Sequence, residues 1–285
     1  MNYTDEELKR LHSCLYDILR EIRRVCDILQ IKFVMLGGSA IGVYYWKGIV
    51  PYDDDIDIGM LRSDYDLFLR KAPSLLRNDF FLQWPDSEEH APVFFAKLRR
   101  KGTLFVEEPY RNLNINHGVF VDIMPLDSIP NSRFLRWTQR KLANIVNDCF
   151  VAKELWRYRW MGRCEVDHPV QASYFNCLMI WCLSRLFNKT ILYRLLHFIQ
   201  TFFSRRKTNY YNTIPAYLDF IPTADLEQLQ EVSFGDIRVW VPNNLDTYLH
   251  LHYPILKKHL SSEEIQKYIH RPVIIEIPQL HAIND

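Results

Sequence analysis

From Leu8 onward, apolar residues return at alternating intervals of three and four: Leu8, Leu11, Leu15, Ile18, Ile22, Val25 and Leu29. That spacing keeps one face of a helix apolar, and Thr4 with Glu7 gives the capping-box pattern that opens it. The stripe predicts a long helix docked on the rest of the domain, with a dimerising coiled coil as the alternative. The run IKFVML (31–36) then predicts a buried strand, Gly37-Gly38-Ser39 turns the chain, and AIGVYYW (40–46) suits a short helix. DIDIGM (55–60) alternates polar and apolar, as a half-buried strand does. Ser63 and Asp66 are candidate caps for a helix running through Leu76.

Further strands are predicted at FFLQW (80–84), VFFAKLR (93–99), TLFVE (103–107) and GVFVDIMPL (118–126). The second and third of these flank Lys101-Gly102, a hairpin signal. From Ser132 to about Arg206 the pattern is helical, and residues 172–207 mix aromatics and leucines with basic residues. These helices are expected to cover the sheet, with an amphipathic element on a membrane surface as the alternative. FGDIRVWVP (234–242) predicts a returning hairpin, and NNLDTYLHLHY and SSEEIQKYI predict two terminal helices, the second capped by Ser261 and Glu264. The pattern predicts an α+β fold with a mixed sheet. Residues 1–130 form its core with the N-terminal helix. Residues 131–285 form a mostly helical extension that carries the hairpin and packs on that core.

Composition narrows the class. A chain of 285 residues with 48% hydrophobic and 14% aromatic content has ample material for a core, which excludes a disordered protein. A net charge of +1 gives no overall attraction for polynucleotide, so nucleic acid is not an expected partner. Cys14, Cys26, Cys149, Cys164, Cys177 and Cys182 show no paired spacing and read as buried free thiols of a reducing compartment. The charged start MNYTDEELKR does not read as a secretory signal, and no long uncharged apolar run predicts a transmembrane helix, so a cytoplasmic location is expected.

The candidate chemistry lies in GIVPYDDDIDIGM, where Asp53, Asp54, Asp55 and Asp57 crowd the mouth of a strand. Residues two apart on a strand share a face, so Asp55 and Asp57 point the same way with Asp53 roughly in line, while Ile56 and Ile58 point to the core. Such carboxylates repel unless a cation lies between them, and an oxygen-loving divalent ion such as Mg²⁺ suits phosphate chemistry. A solvated acidic turn is the plain alternative. Upstream, Gly37, Gly38 and Ser39 follow a strand and open a helix, where backbone N–H groups and a hydroxyl can meet an anion.

The stretch LGGSAIGVYYWKGIVPYDDDIDIGM (36–60) resembles the signature of the LicD family, relatives of the fukutin-like proteins within the nucleotidyltransferase-fold superfamily that includes DNA polymerase beta. Gly38, Ser39, Asp55 and Asp57 stand in the superfamily's Gly-Ser and Asp-x-Asp places. AKLRRKGTLFVE, NHGVFVDIMPLD (116–127) and FGDIRVWVPNNLDTYLHLHYP resemble later segments of the family, and the second puts Asp122 where its third metal carboxylate stands. The resemblance implies a small nucleotidyltransferase-like sheet. It also implies transfer of a phospho-alcohol from a CDP-activated donor, CDP-choline above all, to a glycan or lipid-linked glycan acceptor. Mg²⁺, or Mn²⁺, would be held by Asp55, Asp57 and Asp122. A peripheral contact with the inner membrane face would suit residues 172–207. One position departs from the family: Tyr45 stands where an Arg is usual, with Lys47 close by as a substitute phosphate ligand. The rival classes are a nucleotidyltransferase attaching NMP and a non-catalytic subunit of a glycan-assembly complex.

Four other groups have two readings each. Asp122 lies in an apolar run and requires a partner: a salt bridge, or a functional role as metal ligand or general base beside Asp55 and Asp57. His117 is a candidate phosphate contact or a turn histidine bonded to backbone. Lys97 and Arg99 share a strand face, with Arg100 on the other, as phosphate ligands or edge-strand charges. Residues 156–160, WRYRW, interleave aromatic and basic groups for stacking or for surface packing. His250 and His252, two apart on a helix, do not read as a metal pair.

Overall fold

Residues 3–160, 174–216, 220–253, 255–266, 269 and 272–278 are described in a computed structural model of the chain. Helix α1 (Asp5–Leu29) opens with the capping box its sequence predicts: Thr4 Oγ1 accepts the Glu7 N–H, and the Glu7 carboxylate accepts the Thr4 N–H. Leu11, Leu15, Ile18 and Ile22 of its stripe are fully buried in the sheet's core, so α1 is a docked helix. Strand β1 (Val34–Met35), helix α2 (Gly37–Trp46), strand β2 (Asp57–Leu61) and helix α3 (Arg62–Leu75) follow. The strand expected over 31–36 is shorter. Ile31 N–H still closes the end of α1 on the Cys26 carbonyl, and Gly37 turns away at φ 51°, so Val34 and Met35 alone pair with Gly59 and Ile58. Ser63 and Asp66 do not cap α3, which leaves β2 directly with Leu61 at the cap position and no side-chain bond there.

Strands β3 (Phe80–Gln83), β4 (Ala96–Arg100), β5 (Leu104–Val106) and β6 (Phe120–Ile129) come next. The sheet runs β1-β2-β6-β4-β3 and is mixed, as expected: β2 is parallel to β6, and the other pairs along that path are antiparallel. The hairpin expected at Lys101-Gly102 does not form. Gly102 does turn the chain at φ 75°, but β4 is already paired on both sides, by β3 and β6. It is therefore an interior strand and not an edge. Its charges are buried, with Lys97 and Arg99 on one face and Arg100 turned to Asp17 and Asp79 on the other.

Helices α4 (Arg133–Trp160), α5 (Tyr174–Leu186) and α6 (Lys189–Thr201) form the expected helical stretch. Rather than merging with the sheet's core, they enclose a second apolar cluster around Phe150, Leu192 and Leu196 that includes Ile129 of β6. A buried polar link ties the two. Arg62 donates to Asp127 Oδ1 of β6 at 2.7 Å and to Gln200 Oε1 of α6 at 3.1 Å. Burial disfavours the Arg62 charge, but Asp127 outweighs that and holds its pKa above the ordinary value. Strand β7 (Tyr210–Asn212) extends the sheet beside β6, and β8 (Ile221–Pro222) pairs with β7. Past helix α7 (Thr223–Glu227), strands β9 (Gln230–Phe234) and β10 (Ile237–Val241) form the predicted hairpin, turned at Gly235 (φ 60°). Hairpin and helix α8 (Leu245–His252) return to the first core through Phe234, Val239, Trp240 and Tyr248. Helix α9 (Ser262–Ile265) has the predicted cap but is a single turn, and β11 (Ile274–Glu276) supplies the partner of β5.

Cys14, Cys26 and Cys149 are buried thiols, whereas Cys177 is half-buried and Cys182 exposed; Cys164 lies outside the described residues, as do the side chains of 156–160. Among the described residues, no helix is long and apolar enough to cross a membrane. Replacing Asp127 by Ala leaves the buried Arg62 guanidinium only Gln200 and the partly exposed Asp66, 3.7 Å away, so Asp127→Ala is expected to cost about 3 kcal/mol of stability by urea denaturation. The apolar pair Arg62→Met with Asp127→Leu is expected to restore most of that loss.

Candidate functional site

Strand register builds the floor of the site. Asp57 stands opposite Asp122, Asp122 opposite Lys97, and Lys97 opposite Gln83. Opposed residues project to the same side of a sheet, so these four make one polar row across β2, β6, β4 and β3. Their neighbours Ile58, Ile123, Leu98 and Leu82 are buried in the core. Lys97 Nζ lies 2.9 Å from Asp122 Oδ1, donates at 3.3 Å to Oδ2, and sits 3.4 Å from the centre of the Phe120 ring. Burial pushes the Asp122 carboxyl up, against the pull of the Lys97 ammonium.

The acidic loop arrives beside this row. Asp53, Asp54 and Asp55 each place an oxygen within 4.8 Å of the others, the one such trio among the described residues. Asp54 is buried and accepts the Tyr3 hydroxyl at 2.7 Å; burial and the Asp54 charge push the Tyr3 phenol far up. His12 Nε2 meets the Asp53 carbonyl at 2.8 Å. These contacts fasten the loop to α1 and to the segment leading into it. Asp53, Asp55 and Asp57 instead line a cleft of about 220 Å³, together with Gly38 at the start of α2.

The start of α2 is shaped for close approach. Gly37 N–H donates to the Tyr248 hydroxyl at 3.1 Å, and the Asp57 N–H donates to Ser39 Oγ at 2.9 Å. Ser39 thus fixes the first residue of β2. A methyl group on Gly38 would lie 2.8 Å from Asp53 Oδ2, so glycine is what lets that carboxylate rest against the helix start. The first N–H groups of a helix have no partners within it and face any anion placed there.

The sequence-predicted residues thus divide. Gly38, Asp53, Asp55 and Asp57 share the cleft, with Gly37 and Ser39 beside it, and Asp122 adjoins Asp57 in the sheet. Asp55, Asp57 and Asp122 do not draw together as closely as the Asp53–Asp54–Asp55 trio. Lys97 is paired with Asp122, so the salt-bridge reading of that carboxylate is realised. Lys47 is exposed at the far end of α2, about 15 Å of helix from Gly37. His117 Nε2 meets the Leu113 carbonyl at 3.1 Å and does not line the cleft. His250 and His252 have separate partners, Asp246 and Phe220.

Sequence reasoning missed the opposite wall: Tyr253, Ile255, Leu256, Lys257 and Leu260. Tyr253 falls in the segment whose resemblance to the family's closing stretch could have pointed there, but the residues after it carry no such signal. Lys257 is held by Glu264 at 2.8 Å. The cleft therefore has one acidic side, one apolar side and a helix start between them. An all-oxygen donor set suits a hard divalent cation, and the helix start suits phosphate.

Residues 30–182 match the model of the LicD/FKTN/FKRP nucleotidyltransferase domain. The chain belongs to this family. It is 39% identical over 56 residues to the lipopolysaccharide cholinephosphotransferase LicD of Haemophilus influenzae. It is 28% and 30% identical, over 67 and 59 residues, to uncharacterized proteins of Rickettsia prowazekii and Rickettsia typhi. These stretches are short: they cover 20%, 21% and 21% of this chain and 21%, 25% and 19% of the respective relatives.

Two glycines of this LicD-family chain separate site effects from fold effects. In Gly38→Ala the Asp53 carboxylate can swing away, so stability is expected to change by less than about 1 kcal/mol. The same change displaces a cleft oxygen, so if the carboxylates hold a divalent ion, calorimetric titration of Mn²⁺ is expected to show binding weakened by about tenfold. Gly42→Ala drives its methyl group into the Gly48 backbone carbonyl and is expected to lower the urea midpoint instead.

Proposed function

We propose that the chain is a metal-dependent phosphotransferase. It moves a phospho-alcohol of the phosphocholine type from a CDP-activated donor to a hydroxyl of a cell-surface glycan or its lipid-linked precursor. The observation that carries this reading is the cleft in which the start of α2 at Gly38 faces Asp53, Asp55 and Asp57. Membership of the LicD family and the cholinephosphotransferase activity of the Haemophilus relative support it.

In this reading Asp55 and Asp57 hold Mg²⁺ or Mn²⁺, with Asp53 beside them and Asp122 as the adjoining carboxylate. The ion, when bound, offsets the charge of the donor diphosphate. The Gly38 and Ser39 N–H groups bind phosphate oxygens, and Ser39 keeps Asp57 in place. Tyr52, Tyr253 and Leu256 exclude water from the other side. The acceptor oxygen bonds to the phosphorus that bears the alcohol, the P–O bond to CMP breaks, and the acceptor's proton passes to Asp122, beside which Lys97 balances the charge. The reading includes no covalent enzyme intermediate; positioning and charge neutralisation supply the catalysis.

The test is calorimetric titration of CDP-choline, CDP-ribitol, CDP-glycerol, CTP, ATP and UTP, with and without Mg²⁺, into wild type and Asp55→Asn. One CDP-alcohol is expected to bind only with the ion, and Asp55→Asn is expected to weaken it at least about tenfold without changing the circular dichroism spectrum. Preference for a plain NTP would replace the proposal with nucleotidyl transfer. No binding by a folded protein would leave the non-catalytic subunit.

A further inference from the structure

The α4–α6 unit carries an aromatic surface at one end. Gln139 of α4 donates to the Ile199 carbonyl of α6 at 2.9 Å, which sets the first turns of α4 beside the last turns of α6. Around that junction Phe134, Trp137, Phe198 and Phe202 are 70%, 57%, 58% and 53% exposed. Phe134 stacks on Trp137, and Phe198 packs edge-on to Phe202. Helix α6 is apolar on two sides: Leu192 and Leu196 are buried, while Ile191, Leu195, Phe198 and Phe202 form an outer stripe. A docked surface helix would carry polar groups there, and a cluster of exposed rings marks an interaction surface.

Charge identifies the partner. The chain as a whole has 35 basic and 34 acidic residues, yet 128–147 and 174–216 contain no Asp or Glu at all. Arg133 and Lys141 on α4 are exposed, as are Arg205, Arg206 and Lys207 directly after α6. None of these five is in an ion pair among the described residues. We propose that this end of the helical unit docks on an anionic lipid bilayer, with the four rings at the headgroup–acyl boundary and the cations on lipid phosphates. A second copy of the chain would bring like charges face to face. An apolar protein groove would accept the rings and leave the cations uncompensated. The inference rests on this surface alone and stands whatever the cleft transfers.

Vesicle flotation of the full chain tests it, using phosphatidylcholine vesicles with and without phosphatidylglycerol, at low and high salt. Wild type is expected to float with the phosphatidylglycerol vesicles alone and to be released by salt. The variant Arg205→Gln/Arg206→Gln/Lys207→Gln is expected to partition roughly 100-fold more weakly. Phe134→Ser/Phe198→Ser is expected to lose flotation while keeping its circular dichroism spectrum, and Asp55→Asn is expected to float like wild type. Wild type that ignores anionic vesicles, or variants that float undiminished, would overturn the proposal. So would a wild-type dimer, seen by gel filtration, that the Phe134→Ser/Phe198→Ser change splits while vesicles go unbound, since the surface would then be a self-interface.

Discussion

Mutual repulsion among Asp53, Asp54 and Asp55 is the constraint around which this structure is organised. Ionised carboxylate oxygens within 4.8 Å of one another repel by roughly 3 kcal/mol or more per pair at an effective dielectric near 20, and three such pairs act at once. The fold answers with contacts drawn from remote parts of the chain. The Tyr3 hydroxyl turns Asp54 inward, His12 holds the Asp53 backbone, and Ser39 grips the Asp57 N–H. In the adjoining strands Lys97 sits against Asp122. The N-terminal helix is thus more than cover for the sheet, because His12 on it and Tyr3 just ahead of its cap hold the acidic loop in place.

A second arrangement separates the site from its support. One apolar core unites α1, α2, the sheet, the β9–β10 hairpin and α8, and the cleft above it is lined from α2, β2, the loop between them and the segment after α8. The other lies inside α4–α6 and joins the sheet through Ile129 and the buried Arg62–Asp127–Gln200 link. Among the described residues, that helical unit contributes none to the cleft lining. Its outer face is accordingly free to evolve toward another surface without disturbing the carboxylates.

Much of this was legible where the signal is local. The Thr4–Glu7 box, the three-and-four stripe of α1 and the returning hairpin signalled at 234–242 each act within a few residues, and each forms. Asp53, Asp55 and Asp57 could be placed together because strand alternation is equally local. What escaped was decided by partners distant in sequence. Lys101-Gly102 has good turn chemistry, but β4 was claimed on both sides by β3 and β6, so β5 paired with β11 instead. The apolar wall from Tyr253 to Leu260 likewise becomes a wall only because α8 docks on α2, where the Gly37 N–H meets Tyr248.

That late wall also sets an order in time. The acidic loop and the helix start are synthesised early, and the residues that enclose them follow some two hundred positions later. Contacts of such separation form slowly, since long loops must close before they are rewarded. Before α8 and the segment after it dock, the acidic side of the cleft lacks its remaining lining residues and lies open to solvent. The cleft becomes an enclosure only with that docking.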